Sequence, residues 1–301
     1  MIFDLHKDFA TLLDSMPNEN PHRRILSLLE AAVLRDVYFV NRHPTTLFQS
    51  LWNSCWWQDC PQLTDHLNRT FSERMFRRIR GLLHCFSGCL NVEPGSQELN
   101  KLLDGWRIQK EQHTPGFRWL RSLRPPTTSL DGHMNQMPGY GRCMELVDVS
   151  PDGTRVVAAS DEHWIGVWSG GTGVMLATLF LHIRGVTDVK FSSDGTWFGG
   201  LSYYGRAMIA WDTTSLKEIR KPEAELSKLL FNNSRRAARY KVQTDDVGAM
   251  ILNDRGVPMA SLPSSEGWCS DANGGAWAAI IDQSVFIWRL EGDFDCSLSH
   301  K

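Results

Sequence analysis

From Ile25 to Val40 the apolar residues Ile25, Leu28, Leu29, Ala32, Val33, Val37 and Val40 recur at steps of three and four. That spacing lines one face of an α-helix. Asn20 followed by Pro21 predicts its start, as N-cap and first-turn proline. His43-Pro44 stops it, because proline offers no backbone donor. The same pattern predicts a helix holding Leu47, Phe48, Leu51, Trp52, Cys55 and Trp56, another from Leu63 to Leu83, and another from Gln97 to Gln112. The run Arg118 to Pro126, RWLRSLRPP, ends the helical part, since Pro125-Pro126 favours extended chain.

The pattern then changes. After residue 140 short alternating runs appear: Cys143 to Val149, Arg155 to Ala159 and Trp164 to Trp168. Ser150-Pro151-Asp152-Gly153 reads as a tight turn between the first two. Only five of the 24 glycines precede residue 125, so the second part is the turn-rich one. The expected division is a helical domain at residues 1–125, a linker at 126–140 and an all-β domain at 141–301. Strands this short, with turns every 8–12 residues, belong to a sandwich, barrel or propeller.

A repeat decides among these. Asp152-Gly153 recurs as Asp194-Gly195, and Trp168 recurs as Trp211-Asp212. Lys228 to Phe231, Ala237 to Val242 and Ala249 to Leu252 keep the strand order of a third unit. Trp268-Cys269, Ala276 to Ile281 and Val285 to Trp288 form a fourth. Units of this length, four-stranded and closed by Trp-Asp, resemble the WD40 family. The resemblance implies an α+β chain: helices first, then a β-propeller of about four blades, two of them degenerate. It also implies a hydrogen-bonded set in each blade, here His182, Ser202 and Trp211 in the second unit and Ser160, Asp161 and Trp168 in the first. Residues 293–298 or 127–140 are expected to supply the last outer strand. An incomplete ring would leave an edge open to self-association.

Over roughly residues 20–215, His43 to Trp57 and Gln112 to Pro126 look like the helical region that precedes WD40 repeats in large bacterial proteins of the STAND NTPase type. That family couples a nucleotide switch to a propeller that senses a partner. No Gly-Lys dipeptide occurs here, so the G-x-x-x-x-G-K-[ST] phosphate loop is missing and no nucleotide cofactor is expected.

Charge narrows the classes further. Lys plus Arg number 32 and Asp plus Glu 34, for a net charge of −2, which argues against a general nucleic-acid binder. No apolar run reaches the ~18 residues of a membrane span, and the start MIFDLHKDF carries no secretory pattern. A soluble cytoplasmic protein is expected. Cys55, Cys60, Cys85 and Cys89 beside His84 have poor zinc spacing and are expected to pack as free thiols, so no metal is assigned. Trp52, Trp56 and Trp57 offer either a stacking platform or a packed helix interface, and the shared face favours packing. The arginines at 69, 74, 77, 78 and 80 read as a solvated helix face. Arg118, Arg121 and Arg124, at steps of three, suit docking of this segment against the propeller. Neither G-x-S-x-G nor H-E-x-x-H occurs.

The expected function is a non-enzymatic interaction scaffold. The propeller binds a protein, with Trp164, Trp197, Tyr203 and Tyr204 as candidate contacts, against which stands packing within the blades, the favoured role for these aromatics. The helical domain couples this to a separately encoded NTPase or effector. The alternatives are an enzyme with its site in the propeller channel or at the domain junction, or a decayed remnant of a larger STAND protein.

Overall fold

The computed structural model describes residues 2–60, 66, 98–126, 129–130, 144–160, 164–180, 186–202, 208–220, 240–245, 248–253, 255–263, 265 and 267–292. The chain forms two compact units, the first of residues 1–119, 125–135 and 292–301 and the second of residues 120–124 and 136–291.

The first unit is helical: α1 (Ile2–Ser15), α2 (Arg23–Arg35), α3 (Val37–Arg42), α4 (Leu47–Cys55) and α5 (Glu98–His113), with 3₁₀ turns at Pro44–Thr46 and Trp56–Gln58. The helix expected from Ile25 to Val40 is broken at Asp36 (φ −104°, ψ 14°). Burial pushes the Asp36 carboxyl above its usual range, while Arg35 and the Ser50 and Ser54 hydroxyls oppose that rise. Asn20 does accept a bond from the His22 N–H (2.9 Å), but the helix starts at Arg23, whose guanidinium ties back to the Leu13 and Met16 carbonyls. Trp52 stacks on Trp56 one turn later (4.7 Å, 15°), Trp119 meets Trp52 at a steep angle, and Leu29, Leu99 and Leu103 complete this core.

The second unit is built from four antiparallel sheets. The first is β2 (Met144–Val149), β3 (Arg155–Ser160), β4 (Trp164–Ser169) and β5 (Met175–Phe180), in that order. The second is β6 (Val186–Phe191), β7 (Trp197–Ser202), β8 (Met208–Asp212) and β9 (Glu218–Ile219). The third has three described strands, β10 (Lys241–Thr244), β11 (Gly248–Leu252) and β12 (Pro258–Pro263). The fourth runs β13 (Gly267–Ser270), β14 (Ala276–Ile281), β15 (Ser284–Gly292) and then β1 (Arg118–Ser122).

That last strand corrects the expectation. The segment read as the end of the helical part forms the outer strand of the fourth sheet. Residues 293–298, and all of 127–140 except 129–130, the segments expected in that role, lie outside the described residues. Leu120 is fully buried in the core of the fourth sheet. Arg121 pairs with Glu291 (2.9 Å), and the Leu123 N–H reaches the Ile287 carbonyl (2.8 Å).

Side-chain alternation stacks the sheets. On β3, Val156 and Ala158 enter a core shared with the fourth sheet, whereas Val157 and Ala159 enter one shared with the second. On β14, Ala276, Ala278 and Ile280 face the first sheet, and Trp277 and Ala279 share a core with Ala249, Ile251 and Leu262 of the third. Val156 to Ala159 of β3 and all of β14 are apolar because both faces are covered. The sheets therefore stack in the order third, fourth, first, second. The three repeat tryptophans hold one register: Trp168 opposite Val156, Trp211 opposite Phe198 and Trp288 opposite Trp277. Each indole sits in the core shared with the preceding sheet of that stack. The Trp168 ring lies along its own strand over Gly166, where a Cβ would come within 2.2 Å of it. Only glycine fits there.

Candidate functional site

The repeat turns come first, because they set where the inner strands end. In Ser150-Pro-Asp-Gly-Thr154, Asp152 Oδ1 accepts from the Ser150 hydroxyl (2.6 Å) and the Thr154 N–H (3.0 Å), and Ser150 Oγ accepts from Arg155 N–H (2.9 Å). Ser192-Ser-Asp-Gly-Thr196 repeats the arrangement at 2.7, 3.1 and 3.2 Å. In the fourth sheet Asp271 takes the serine's place and accepts from Gly275 and Ala276 N–H groups (2.7 and 3.1 Å). Gly153 and Gly195 have φ near +70°, as this turn requires. The Ser192 hydroxyl and Thr196 N–H hold the Asp194 carboxyl below its ordinary value. At Asp152, burial acts upward, but the bonds from Ser150 and Thr154 together win and the value is lowered. The Ala272 N–H bonds the Pro151 carbonyl (3.2 Å), joining the turns of the fourth and first sheets.

The innermost strands β13, β2 and β6 lie side by side. Each leaves part of its length incompletely covered. Glu145 is exposed, and Leu146, Val147, Thr187, Asp188, Lys190, Trp268, Cys269 and Ser270 are half-buried. Aligned by the turn, Asp148, Lys190 and Cys269 hold one repeat position. Asp148 bridges two sheets, its Oδ2 accepting from the Phe191 N–H at 2.7 Å. Asp188 accepts from the Val189 N–H (2.9 Å). Burial raises the Asp188 carboxyl above its usual range, the Asp148 charge adds to the rise, and Lys190 opposes it.

A raised folded value means that the fold holds the Asp188 proton more tightly than the unfolded chain does. This group's contribution to stability is therefore complete below the ordinary value of 3.8 and is lost as pH rises through the folded value. Asp188→Asn is accordingly expected to raise the melting temperature at neutral pH, with the gain vanishing by pH 3. Thermal unfolding of both proteins across that range checks it; a gain that persists undiminished in acid contradicts the assignment.

Trp164 and Trp197, expected as partner contacts, are buried at 2 % and 7 % exposure. Trp164 lies in the first–fourth core and Trp197 packs on Ala210 and Ile219. Both positions face into sheets, where an indole gains more from apolar burial than it would exposed at a rim. Tyr203, Tyr204, His182 and Asp161 lie outside the described residues, as does the side chain of Ser202. Ser160 is buried. The Trp168 indole N–H has no hydrogen-bond partner among the described residues. Its ring instead lies under the Arg124 guanidinium at 5.4 Å. Trp211 stacks on Phe198.

In the helical unit, Trp52, Trp56 and Trp57 are all buried, so their faces meet other rings and not solvent. Cys55 and Cys60 are buried and lie outside any disulfide. Burial raises the Cys55 thiol to about 12, which keeps it protonated at neutral pH. Among the described residues no group of three His, Cys, Asp or Glu could hold a metal. Cys85, Cys89, His84 and the arginines at 69–80 lie outside the described residues.

The inner-strand side chains and Arg124 were not singled out as site residues by sequence reasoning. Aligning the units on their turns, and not on tryptophan, exposes the Asp148/Lys190/Cys269 position. Arg124 carries no local signal beyond the three-residue arginine spacing.

No protein family profile matches the chain, and no curated protein matches it. A crystal structure of RRP9 WD40 repeats aligns at 17 % identity and a TM-score of 0.27, over 53 % of this chain and 47 % of that one. The match thus spans about half the length of that protein. The description of the fold rests on strand order and register, to which so low a score adds nothing. No helix among the described residues is long and apolar enough to cross a membrane.

Proposed function

We propose that the stacked sheets form a protein-binding module of the WD40 type and that the helical part, residues 1–125, couples binding to another component such as a separately encoded NTPase or effector. On this reading the chain is not an enzyme. The observation that carries it is the row of inner strands. Three adjacent sheets present Glu145, Asp188, Lys190 and Trp268 from paired strands, of which β2 and β6 are anchored by the buried Met144, Val149, Val186, Val189 and Phe191. Rigid presentation lowers the entropy lost on binding, and a partly exposed tryptophan among charges is a common interface anchor. Tyr203 and Tyr204 remain proposed contacts, and the blade set His182, Ser202 and Trp211 a proposed support.

The test uses the full chain as bait in an extract of its source cells, alongside a Trp268→Ser/Lys190→Glu variant. Loss of a tryptophan hot spot removes about 2 kcal/mol, roughly 30-fold in affinity. A protein enriched on the wild type is expected to fall by that order on the folded variant. No enrichment over an unrelated folded bait, or enrichment equal on both, overturns the proposal.

A further inference from the structure

The four outer strands are not alike. β1 carries Arg118 and Arg121 and is followed by Pro125-Pro126. β9 has only two residues, one of them Glu218. β12 begins and ends in proline. Short length, charge and proline are the devices that keep a sheet edge from pairing with another chain. β5, the outer strand of the first sheet, has none of them. It is Met-Leu-Ala-Thr-Leu-Phe, six residues with neither charge nor proline. It pairs with β4 on one side. Among the described residues no strand pairs with the other side. Leu176 is 44 % exposed and Thr178 is exposed, whereas Met175 is buried.

We infer that β5 is a self-association edge, at which a second copy of this chain adds its own β5 antiparallel across a two-fold axis. Main-chain donors and acceptors at an open sheet edge bond water until another extended strand replaces it in the plane of the sheet. A second copy suits this one because the strand is uncharged, so a two-fold juxtaposes no like charges. The net charge of −2 adds little repulsion between whole molecules. The two-fold makes the contact isologous and closed. Paired about Ala177, Leu176 of each copy sits beside Thr178 of the other, on the exposed face, and Met175 beside Leu179. This edge is separate from the inner strands, so the proposal stands or falls apart from the binding function above.

The test is sedimentation of the full chain over a concentration series, with Leu176→Lys and Leu176→Lys/Thr178→Lys as variants. Both side chains are exposed, and an unchanged melting temperature shows that the variants fold. The wild type is expected to shift from monomer to dimer with concentration. Lysines facing each other across the two-fold are expected to weaken the dimer tenfold or more, since like charges juxtaposed at an interface cost several kcal/mol. Amides of residues 175–180 should exchange hydrogen more slowly as the wild type is concentrated, and the double variant should not show this. A wild type that stays monomeric overturns the inference, even if β5 captures an extended peptide from another protein. So does a dimer that survives the double substitution.

Discussion

Replacing Trp168 with alanine is expected to destabilise the β-sheet unit by about 3–5 kcal/mol, the cost of emptying a large aromatic site in a closed core. The indole is fully buried between the first and fourth sheets. It rests on the backbone of Gly166, which has no side chain to move into the space. The surroundings are β-strands held in register on both sides, so little relaxation can refill the void. Trp168→Phe should cost distinctly less, because a ring still covers Gly166 and still offers a face to Arg124. The indole N–H that is lost makes no hydrogen bond among the described residues, so the penalty is one of packing. Urea unfolding followed by circular dichroism measures it. A loss below about 1 kcal/mol would mean that the three sheet tryptophans are not core elements of the kind described.

Arg124→Ala is expected to cost about 2–4 kcal/mol, as a charged hydrogen bond contributes roughly 1.5–3 and a desolvated cation over an aromatic face up to about 2. The side chain is 2 % exposed. Its Nη1 donates to the Val285 carbonyl of the fourth sheet (2.5 Å) while the guanidinium covers Trp168 of the first. Just before it, the Ser122 hydroxyl donates to the Arg124 carbonyl (2.6 Å) and shapes the turn out of β1. Arg124 thus ties the outer strand of one sheet to the core of the next. Arg124→Lys retains the charge but not the planar face, and should recover only part of the loss. Because Arg124 and Trp168 touch, the double substitution should cost less than the sum of the two single ones by at least about 0.5 kcal/mol. Strict additivity in a double-mutant cycle would contradict the contact.

Both predictions concern residues that sequence reading treated unequally. Trp168 was legible as a landmark because the repeat marks it: same spacing, same neighbours, same strand order as Trp211. Arg124 was legible only as one of three arginines at steps of three. The structure sends them to different fates: Arg121 to an ion pair with Glu291, Arg124 into the core. The candidate site was less legible than the fold. Asp148, Asp188 and Lys190 stand in ordinary alternating strands, and nothing local shows that the three inner strands lie side by side. Trp164 and Trp197 show the reverse failure. As aromatic residues near repeat turns they invited a surface role, yet each falls on a strand parity that faces inward.

The amino-acid sequence by itself determined the helices around Leu28 and Trp52, the strands near residues 144–149, 155–160, 164–169, 249–252, 276–281 and 285–288, the serine-aspartate-glycine turns and the tryptophan register. Those features depend on periodicity and on turn chemistry within a few residues, so they are written locally. The tertiary structure alone decided that Arg118–Ser122 completes the fourth sheet, that the sheets stack third, fourth, first, second, that the Asp36 carboxyl meets Ser50 and Ser54, and that no described strand pairs with the outer edge of β5. Each of these depends on pairing between residues far apart in the chain. A strand with two unlike faces specifies that it must be covered, but not by which distant segment.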